Sequence, residues 1–260
     1  MLDYRHATRA SQGARSYQED ACAVWPGPSP LAPRGALPPE IALVAVLADG
    51  MGGHAAGDVA SNIICGIFLQ QFGVSAGGAA QMKLAASLAA ANAAIGAKVA
   101  ANPGLSGMGA TCVGIAFSAV GLEWISVGDS PLYIYRGGNI LRLNADHSLS
   151  PMIDQLVAEG KLTADEGEHD PRRHYLRSAV TGEDLELVDV SDLALPLESG
   201  DVVLLASDGL LTLEDDDIRR LIGAYRADGA EAIADALIRT VDGAGAVHQD
   251  NTTVVVVMVA

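Results

Sequence analysis

The sequence predicts an α+β fold built as a four-layer αββα sandwich, two antiparallel β-sheets packed face to face with helix pairs outside. Three observations lead there. The predicted elements run strands, two helices, strands, an irregular segment, a strand, two helices, a strand, which is not the regular alternation of a parallel doubly wound sheet. Consecutive strands are joined by short glycine turns, which implies antiparallel pairing. Half of the 260 residues are hydrophobic, enough for a large core, and with aromatics at 4% that core must be built mostly from Ala, Val, Leu and Ile.

Taken in order, residues 1–25 read as extended, interrupted by Ser16-Tyr17-Gln18-Glu19-Asp20. Residues 26–39 hold Pro26, Pro28, Pro30, Pro33, Pro38 and Pro39, more than half of the chain's eleven prolines. Proline removes ladder donors, so a loop joins two strands here. Residues 41–48 form a continuous apolar run, a strand buried on both faces. After the glycine-rich turn at 50–53, Val59, Ile63, Ile67 and Gln71 recur at four-residue steps, with Ile64 and Phe68 widening the stripe, which predicts a helix with one buried face. A second helix spans about 79–100, with Leu84, Leu88, Ala91, Ile95 and Val99 on one face, and Asn102-Pro103-Gly104 stops it. Short strands follow at 110–119, 123–127 and 132–136 with glycine turns, Gly137-Gly138 among them. Residues 150–180 are polar and irregular, with a helix at 151–159. A buried strand at 201–206, helices near 214–224 and 229–240, and a β-branched strand at 252–259 complete the chain.

The net charge of −16 argues against a nucleic-acid partner or an anionic membrane surface. Part of that acidity suits a metal site, whose cations would offset local repulsion. Cys22, Cys65 and Cys112 fit no disulfide framework or zinc motif, and are expected to act as small buried residues in a reducing compartment. Met1-Leu2-Asp3-Tyr4-Arg5-His6 is no apolar signal segment, and no run of ~18 consecutive apolar residues could span a bilayer. A soluble, cytoplasmic monomer is the expectation.

Three acidic turns carry the chemistry: Ala48-Asp49-Gly50-Met51-Gly52-Gly53-His54, Ser207-Asp208-Gly209 and Gln249-Asp250-Asn251. Aspartates at strand ends aimed at one point make an oxygen-lined pocket, which suits Mg²⁺ or Mn²⁺ where thiolates and imidazoles would suit zinc. The pattern suggests a hydrolase with two metals. Gly50 and Gly209 let the backbone turn straight after each aspartate, and Gly50 can offer its carbonyl to a metal.

Together with Arg15-Ser16-Tyr17-Gln18-Glu19-Asp20, Gly107-Met108-Gly109-Ala110-Thr111, Val127-Gly128-Asp129-Ser130, Asp146-His147-Ser148-Leu149 and the continuation Thr252-Thr253, these turns stand in the order seen in metal-dependent protein phosphatases of type 2C. The chain resembles that family over nearly its whole length, and the Ala-Asp-Gly-Met-Gly-Gly-His form resembles its bacterial branch. The resemblance implies a β-sandwich flanked by helices, a single catalytic domain over 1–260, and hydrolysis of phosphoserine and phosphothreonine in protein substrates of a bacterial Ser/Thr kinase. It implies that Asp49 bridges two Mg²⁺ or Mn²⁺ ions, that Asp208 and Asp250 complete the first, and that the Gly50 carbonyl binds the second. Glu19 and Asp20 would act through metal-bound water, and a water between the cations would attack phosphorus in line.

By the same resemblance Arg15 is the phosphate-binding arginine, whose guanidinium fork suits phosphate oxygens and keeps its charge. Asp129 matches a ligand of a third, weaker metal. Thr212 stands where the family usually adds another aspartate to that third site, which weakens it. Glu214, Asp215, Asp216 and Asp217 just beyond are read as caps of the next helix. Gln18 replaces the usual Asn. Met51 replaces the proposed general-acid His of eukaryotic relatives and cannot donate a proton. His54 and His147 are read as structural. Residues 150–180 would form a flap beside the site, where His169 and His174 flank a basic run. Arg172, Arg173 and Arg177 there either meet the substrate or are simply solvated. The rival reading is a non-catalytic phosphoprotein-binding module on the same scaffold, to which Thr212 and Gln18 point, and a small-molecule phosphatase is a third.

Overall fold

In the last strand of the chain, Val254 and Val256 face one way, Val255 and Val257 the other, and all four are fully buried. Side chains alternate across a strand, so a strand buried on both faces belongs to a sheet covered on both sides. The computed structural model describes residues 2–52, 56–75 and 78–260. The elements run β1 (Tyr4–Ser11), β2 (Ala21–Trp25), β3 (Ile41–Ala48), β4 (Gly50–Met51), α1 (Ala56–Val74), α2 (Ala80–Ala101), β5 (Gly109–Ala110), β6 (Cys112–Ser118), β7 (Gly121–Val127), β8 (Leu132–Arg136) and β9 (Asn139–Arg142). They continue with α3 (Ser150–Ala158), α4 (Ala164–Glu168), β10 (Asp189–Val190), β11 (Val202–Ala206), α5 (Asp215–Tyr225), α6 (Ala230–Gly243) and β12 (Thr252–Val259).

Two five-stranded sheets form, β1-β12-β11-β8-β9 and β10-β7-β6-β3-β2, and every pairing in them is antiparallel. Three apolar layers separate four layers of structure. Leu43, Ala45 and Leu47 of β3 meet Val203 and Leu205 of β11 between the sheets. Val44 and Val46 of β3 turn outward to Ile64, Phe68 and Phe72 of α1 and Leu84 and Leu88 of α2. Val202 and Leu204 of β11 turn outward to Ile218 and Ile222 of α5 and Ile233 and Leu237 of α6. This is the αββα sandwich the sequence predicts.

Several details differ from the sequence reading. The buried stripe of α1 is Ala60, Ile64, Cys65, Phe68, Leu69 and Phe72, whereas Val59, Ile63 and Ile67 form a half-buried flank. Apolar residues surround this helix over 63–69, so its periodicity is nearly flat and packing of the two Phe rings decides the inner face. The strand expected at 110–119 is divided at Thr111 into β5 and β6, because Thr111 turns aside to bond the Asp49 turn. Gly137 (φ 58°) and Gly138 (φ 86°) make a two-residue hairpin turn, and β9 pairs back on β8 with Arg136 opposite Asn139. The short α4 starts at a capping box, Thr163 and Glu166, bonded reciprocally. Helix α2 is by length and composition alone apolar enough to cross a membrane, with a mean hydropathy of 1.4. In this fold its Leu84, Leu88, Ala91 and Ile95 face is spent on the core. Its N-terminus is capped from another element, since Gln81 N–H donates to the Glu123 carboxylate of β7 at 3.2 Å.

The tip of the Phe68 ring meets β6 at Gly114, where a Cβ would stand 2.2 Å from the ring's Cζ. Gly114→Ala therefore overpacks this layer and costs about 1–3 kcal/mol. Urea unfolding of the two proteins measures it, and an unchanged midpoint would contradict the packing described.

Candidate active site

Asp49 stands where β3 ends, and its backbone is held on both sides by one residue. Thr111 N–H donates to Asp49 O at 2.9 Å, and Asp49 N–H donates to Thr111 Oγ1 at 3.0 Å. Thr111 Oγ1 lies 2.7 Å from Ser130 Oγ, so the anchor is itself anchored. The chain then turns at Gly50, where a Cβ would meet Gly57 O at 2.3 Å and Glu19 O at 2.5 Å. Only glycine allows this approach, which packs the first turn of α1 and the Glu19 loop against the Asp49 turn.

Asp208 follows β11 and opens a 3₁₀ turn, Asp208–Thr212, while Asp250 directly precedes Asn251 and β12. Because β11 and β12 are antiparallel neighbours, with Ala206 opposite Val254, these two aspartates come side by side at one end of one sheet. Asp49 comes to them from the facing sheet. Asn251 ties the N-terminal loop to this corner. Its Nδ2 donates to Gln12 O at 2.8 Å and Tyr17 O at 2.9 Å, and its Oδ1 accepts from Glu19 N–H at 2.8 Å. That loop presents Arg15, whose Nη2 donates to Asp250 Oδ2 at 2.5 Å with the side chain 56% exposed.

A cleft of about 800 Å³ results. Arg15, Glu19, Asp49, Gly50, Asp129, Asp208 and Asp250 line it, facing a wall made by residues from 174–186. Asp20 sits off the lining, buried, with Oδ2 accepting from Ser207 Oγ at 2.8 Å. Asp20 Oδ1 and Glu19 Oε1 are buried without any hydrogen-bond partner.

Burial pushes the Asp49 carboxyl well above the ordinary carboxylate range, and the charges of Asp20, Asp208, Asp129 and Asp250 push it further. Asp208 is raised by burial and then by Asp250. Burial first and neighbouring carboxylates second lift Asp20 to about 6 and Asp129 to about 7. Like charges gathered out of water hold their protons or await cations. Among the described residues no three His, Cys, Asp or Glu side chains already form a group able to hold an ion as they stand. The donor set nonetheless fits hard divalent cations. It is oxygen-only around Asp49, and it includes two orphaned buried carboxylate oxygens.

The other residues singled out in the sequence are distributed as follows. Met51, His174 and Arg177 line the cleft. Arg172 pairs with Asp170, and Arg173 with Asp154, and neither lines it. His169 bonds Asp165 at the surface. Gln18 Oε1 accepts from Asp20 N–H at 3.0 Å and shapes the Glu19 turn. Thr212 Oγ1 donates to Gln249 Oε1 at 2.8 Å and so braces the Asp250 loop. His147 is buried, and its Nδ1 accepts from Gly128 N–H at 3.2 Å, holding the turn that carries Asp129. Burial lowers its pKa, which keeps that acceptor free of a proton. The expected capping by 214–217 is corrected. Glu214 occupies the cap position without a side-chain bond, while Asp215 accepts from Tyr133 and Asp216 and Asp217 pair with Arg219 and Arg220 in the first turn of α5. His54 lies outside the described residues. Thr111 and Asn251 belong to motifs seen in the sequence, but their anchoring roles were missed. The one available signal was a polar side chain beside each aspartate turn that the core would otherwise reject.

Fold and cleft define the class first: an αββα sandwich that gathers carboxylates across the strand ends of both sheets. Residues 36–249 match the protein phosphatase 2C family, and the chain belongs to it. The serine/threonine protein phosphatase PstP of Mycobacterium tuberculosis is 34% identical over 258 residues, 98% of this chain and 45% of PstP. The chain thus spans less than half the length of that relative. Protein phosphatase PhpP of Streptococcus pneumoniae is 30% identical over 82% of this chain and 84% of PhpP. The crystal structure of the PstP catalytic domain in complex with two manganese ions is 32% identical, with a TM-score of 0.78 and full coverage of both chains.

Asp20 and Asp129 bind protons more tightly folded than at their ordinary value of 3.8. Between about pH 4 and 7 the folded state therefore holds more protons than the unfolded one, and the stability of chelator-treated protein falls as pH rises through that window. A divalent cation such as Mn²⁺, if it binds the ionised carboxylates, should restore stability at pH 7. Thermal midpoints across this range, for wild type and for Asp20→Asn with Asp129→Asn, check it. The variant's profile should be the flatter, and identical profiles would contradict the electrostatics described.

Proposed function

We propose that this chain is a Mg²⁺- or Mn²⁺-dependent serine/threonine protein phosphatase domain that hydrolyses phosphoserine and phosphothreonine. The observation that carries the reading is the gathering of Asp49, Asp208 and Asp250 in one cleft beside Arg15, in a chain of this family. A relative described as a serine/threonine protein phosphatase, and its catalytic domain solved with two manganese ions, support it.

Asp49, Asp208, Asp250 and the Gly50 carbonyl would hold two cations, with Glu19 and Asp20 behind them, and Asp129 would serve a weaker third. When bound, the pair would supply Lewis acidity, lowering a water's pKa toward neutral for attack on phosphorus. The chain's own residues do the rest. The orphaned oxygens of Glu19 and Asp20 would be free to accept from water held by the cations. Arg15 spends one N–H on Asp250 and keeps the remainder of its fork for phosphate oxygens. Met51 lines the cleft and has no proton to give, so the departing Ser or Thr oxygen would take one from solvent or from the opposite wall, where His174 stands. Phosphoproteins made by a Ser/Thr kinase, in the cytoplasm, acted on by a monomer, are the setting this proposal carries with it. A non-catalytic phosphoprotein-binding module is the second reading. It draws on Thr212, which is engaged with Gln249 where a third-metal aspartate is expected.

Phosphate release from a phosphothreonine peptide separates the two. With Mn²⁺ the wild type releases phosphate and excess chelator stops it. Asp208→Asn lowers kcat by about a hundredfold or more, and Arg15→Ala raises KM about tenfold by removing charge-assisted hydrogen bonds. Release that survives chelator, or an Asp208→Asn protein as active as wild type, would overturn the metal-dependent reading. Folded wild type that binds Mn²⁺ and releases nothing would favour the binding module over the protein phosphatase.

A further inference from the structure

The wall of the cleft opposite the aspartates is a strap, residues 178–187, and it is fastened at three places. Ser178 Oγ donates to Leu187 O at 2.8 Å and accepts from Leu187 N–H at 3.1 Å, closing the strap on itself. Val180 exchanges two backbone hydrogen bonds with Ala110, at 2.9 and 3.1 Å, one residue from the Thr111 that holds Asp49. The third fastening comes from a helix outside the cleft. Asn92 of α2 accepts from Gly182 N–H on Oδ1 at 2.8 Å and donates from Nδ2 to Glu183 O at 2.7 Å.

Four residues on, and so on the same face of the helix, Gly96 lets the strap lie directly on the α2 backbone. A Cβ at Gly182 would stand 2.3 Å from Gly96 Cα, and one at Gly96 would stand 3.0 Å from Gly182 O. Gly182 also has φ +88°, which side chains rarely adopt. Thr181, Glu183, Asp184 and Glu186 of this strap line the cleft, whereas Asn92 and Gly96 do not. A carboxamide holds a donor NH₂ and an acceptor C=O in one fixed plane, and here each makes one bond, to the N–H and C=O of successive residues. Alanine leaves both backbone groups unpaired, and aspartate retains the acceptor alone.

We propose that Asn92 and Gly96 are positioning residues that latch the strap to α2 and thereby set the wall against which the polypeptide flanking a phosphorylated side chain is bound. This rests on the phosphatase reading above. The latch governs KM for phosphopeptides and leaves the chemistry at Asp49, Asp208 and Asp250 unchanged.

The test uses the full chain with Mn²⁺ and two substrates, a phosphothreonine peptide and p-nitrophenyl phosphate, which carries no flanking residues. Asn92→Ala raises KM for the peptide about tenfold with kcat within about twofold, the scale of one or two lost hydrogen bonds. Its kcat/KM on p-nitrophenyl phosphate stays within about threefold of wild type, since the aspartate turns are untouched. Asn92→Asp falls between wild type and Asn92→Ala, and Gly96→Ala, which pushes on Gly182 O, moves the same parameter. Hydrogen exchange over 178–187 speeds up in Asn92→Ala while exchange in β12 stays as it was. Equal losses on both substrates would reduce Asn92 to a structural residue and overturn the proposal, as would unchanged peptide KM or unchanged strap exchange. Should wild type hydrolyse neither substrate, the phosphatase reading fails. Exchange then decides the latch by itself, lost protection of the strap sustaining it and unchanged protection overturning it.

Discussion

Five aspartates crowded together, four of them largely out of water and Asp250 partly exposed, are the constraint on which the rest of this molecule depends. Asp20, Asp49, Asp129, Asp208 and Asp250 act on one another strongly enough that burial and mutual repulsion raise the carboxyl pKa of Asp49, Asp20 and Asp208. Such a group resists its own assembly, so the turns that carry it are braced by polar neighbours. Thr111 brackets Asp49, Asn251 binds three backbone groups of the N-terminal loop, Ser207 bonds Asp20, and His147 holds the turn before Asp129. The glycines at 50, 57 and 209 belong to the same scheme, because a Cβ at any of them would collide with backbone or with Glu19.

The sandwich makes this concentration of charge possible. Antiparallel β11 and β12 deliver Asp208 and Asp250 as neighbours, and the facing sheet delivers Asp49 from β3. The strands behind them are β-branched and buried on both faces, so the turns are carried on the most rigid part of the fold. Catalysis that relies on positioning and charge rather than on covalent chemistry requires that rigidity. The opposite wall of the cleft is made differently. It is an irregular strap pinned by Ser178, Ala110 and Asn92, which under the proposed latch would meet the variable part of a polypeptide.

Much of this was legible in the sequence. An aspartate followed by glycine at the end of an apolar run announces both a strand end and a turn, and Asp49 and Asp208 were placed that way. The sheets and outer helices could be read because β12 and β11 are continuous β-branched or apolar runs and α5 and α6 show clear stripes. The inner face of α1 was not legible, since Ile63, Ile64, Ile67 and Phe68 offer two overlapping stripes and only the packing of Phe68 on Gly114 selects one. Nor were the roles of Thr111, Asn251 and Asn92, whose partners are backbone atoms distant in the chain. Arg172, Arg173 and Arg177 read alike as a basic run, yet local ion pairs take the first two and only Arg177 reaches the cleft. The capping box of α4, Thr163 and Glu166, stands in the sequence, but five helical residues are too few to show an apolar period beside it.

The central claim is that this carboxylate cluster exists to hold divalent cations. Calorimetric titration of chelator-treated protein with Mn²⁺ at neutral pH, on wild type and on Asp49→Asn, tests it most directly. The account predicts saturable binding of about two equivalents to wild type and a much weaker isotherm for Asp49→Asn, since that carboxylate lies at the centre of the group. Absence of saturable binding to wild type, or equal binding by both proteins, would contradict it.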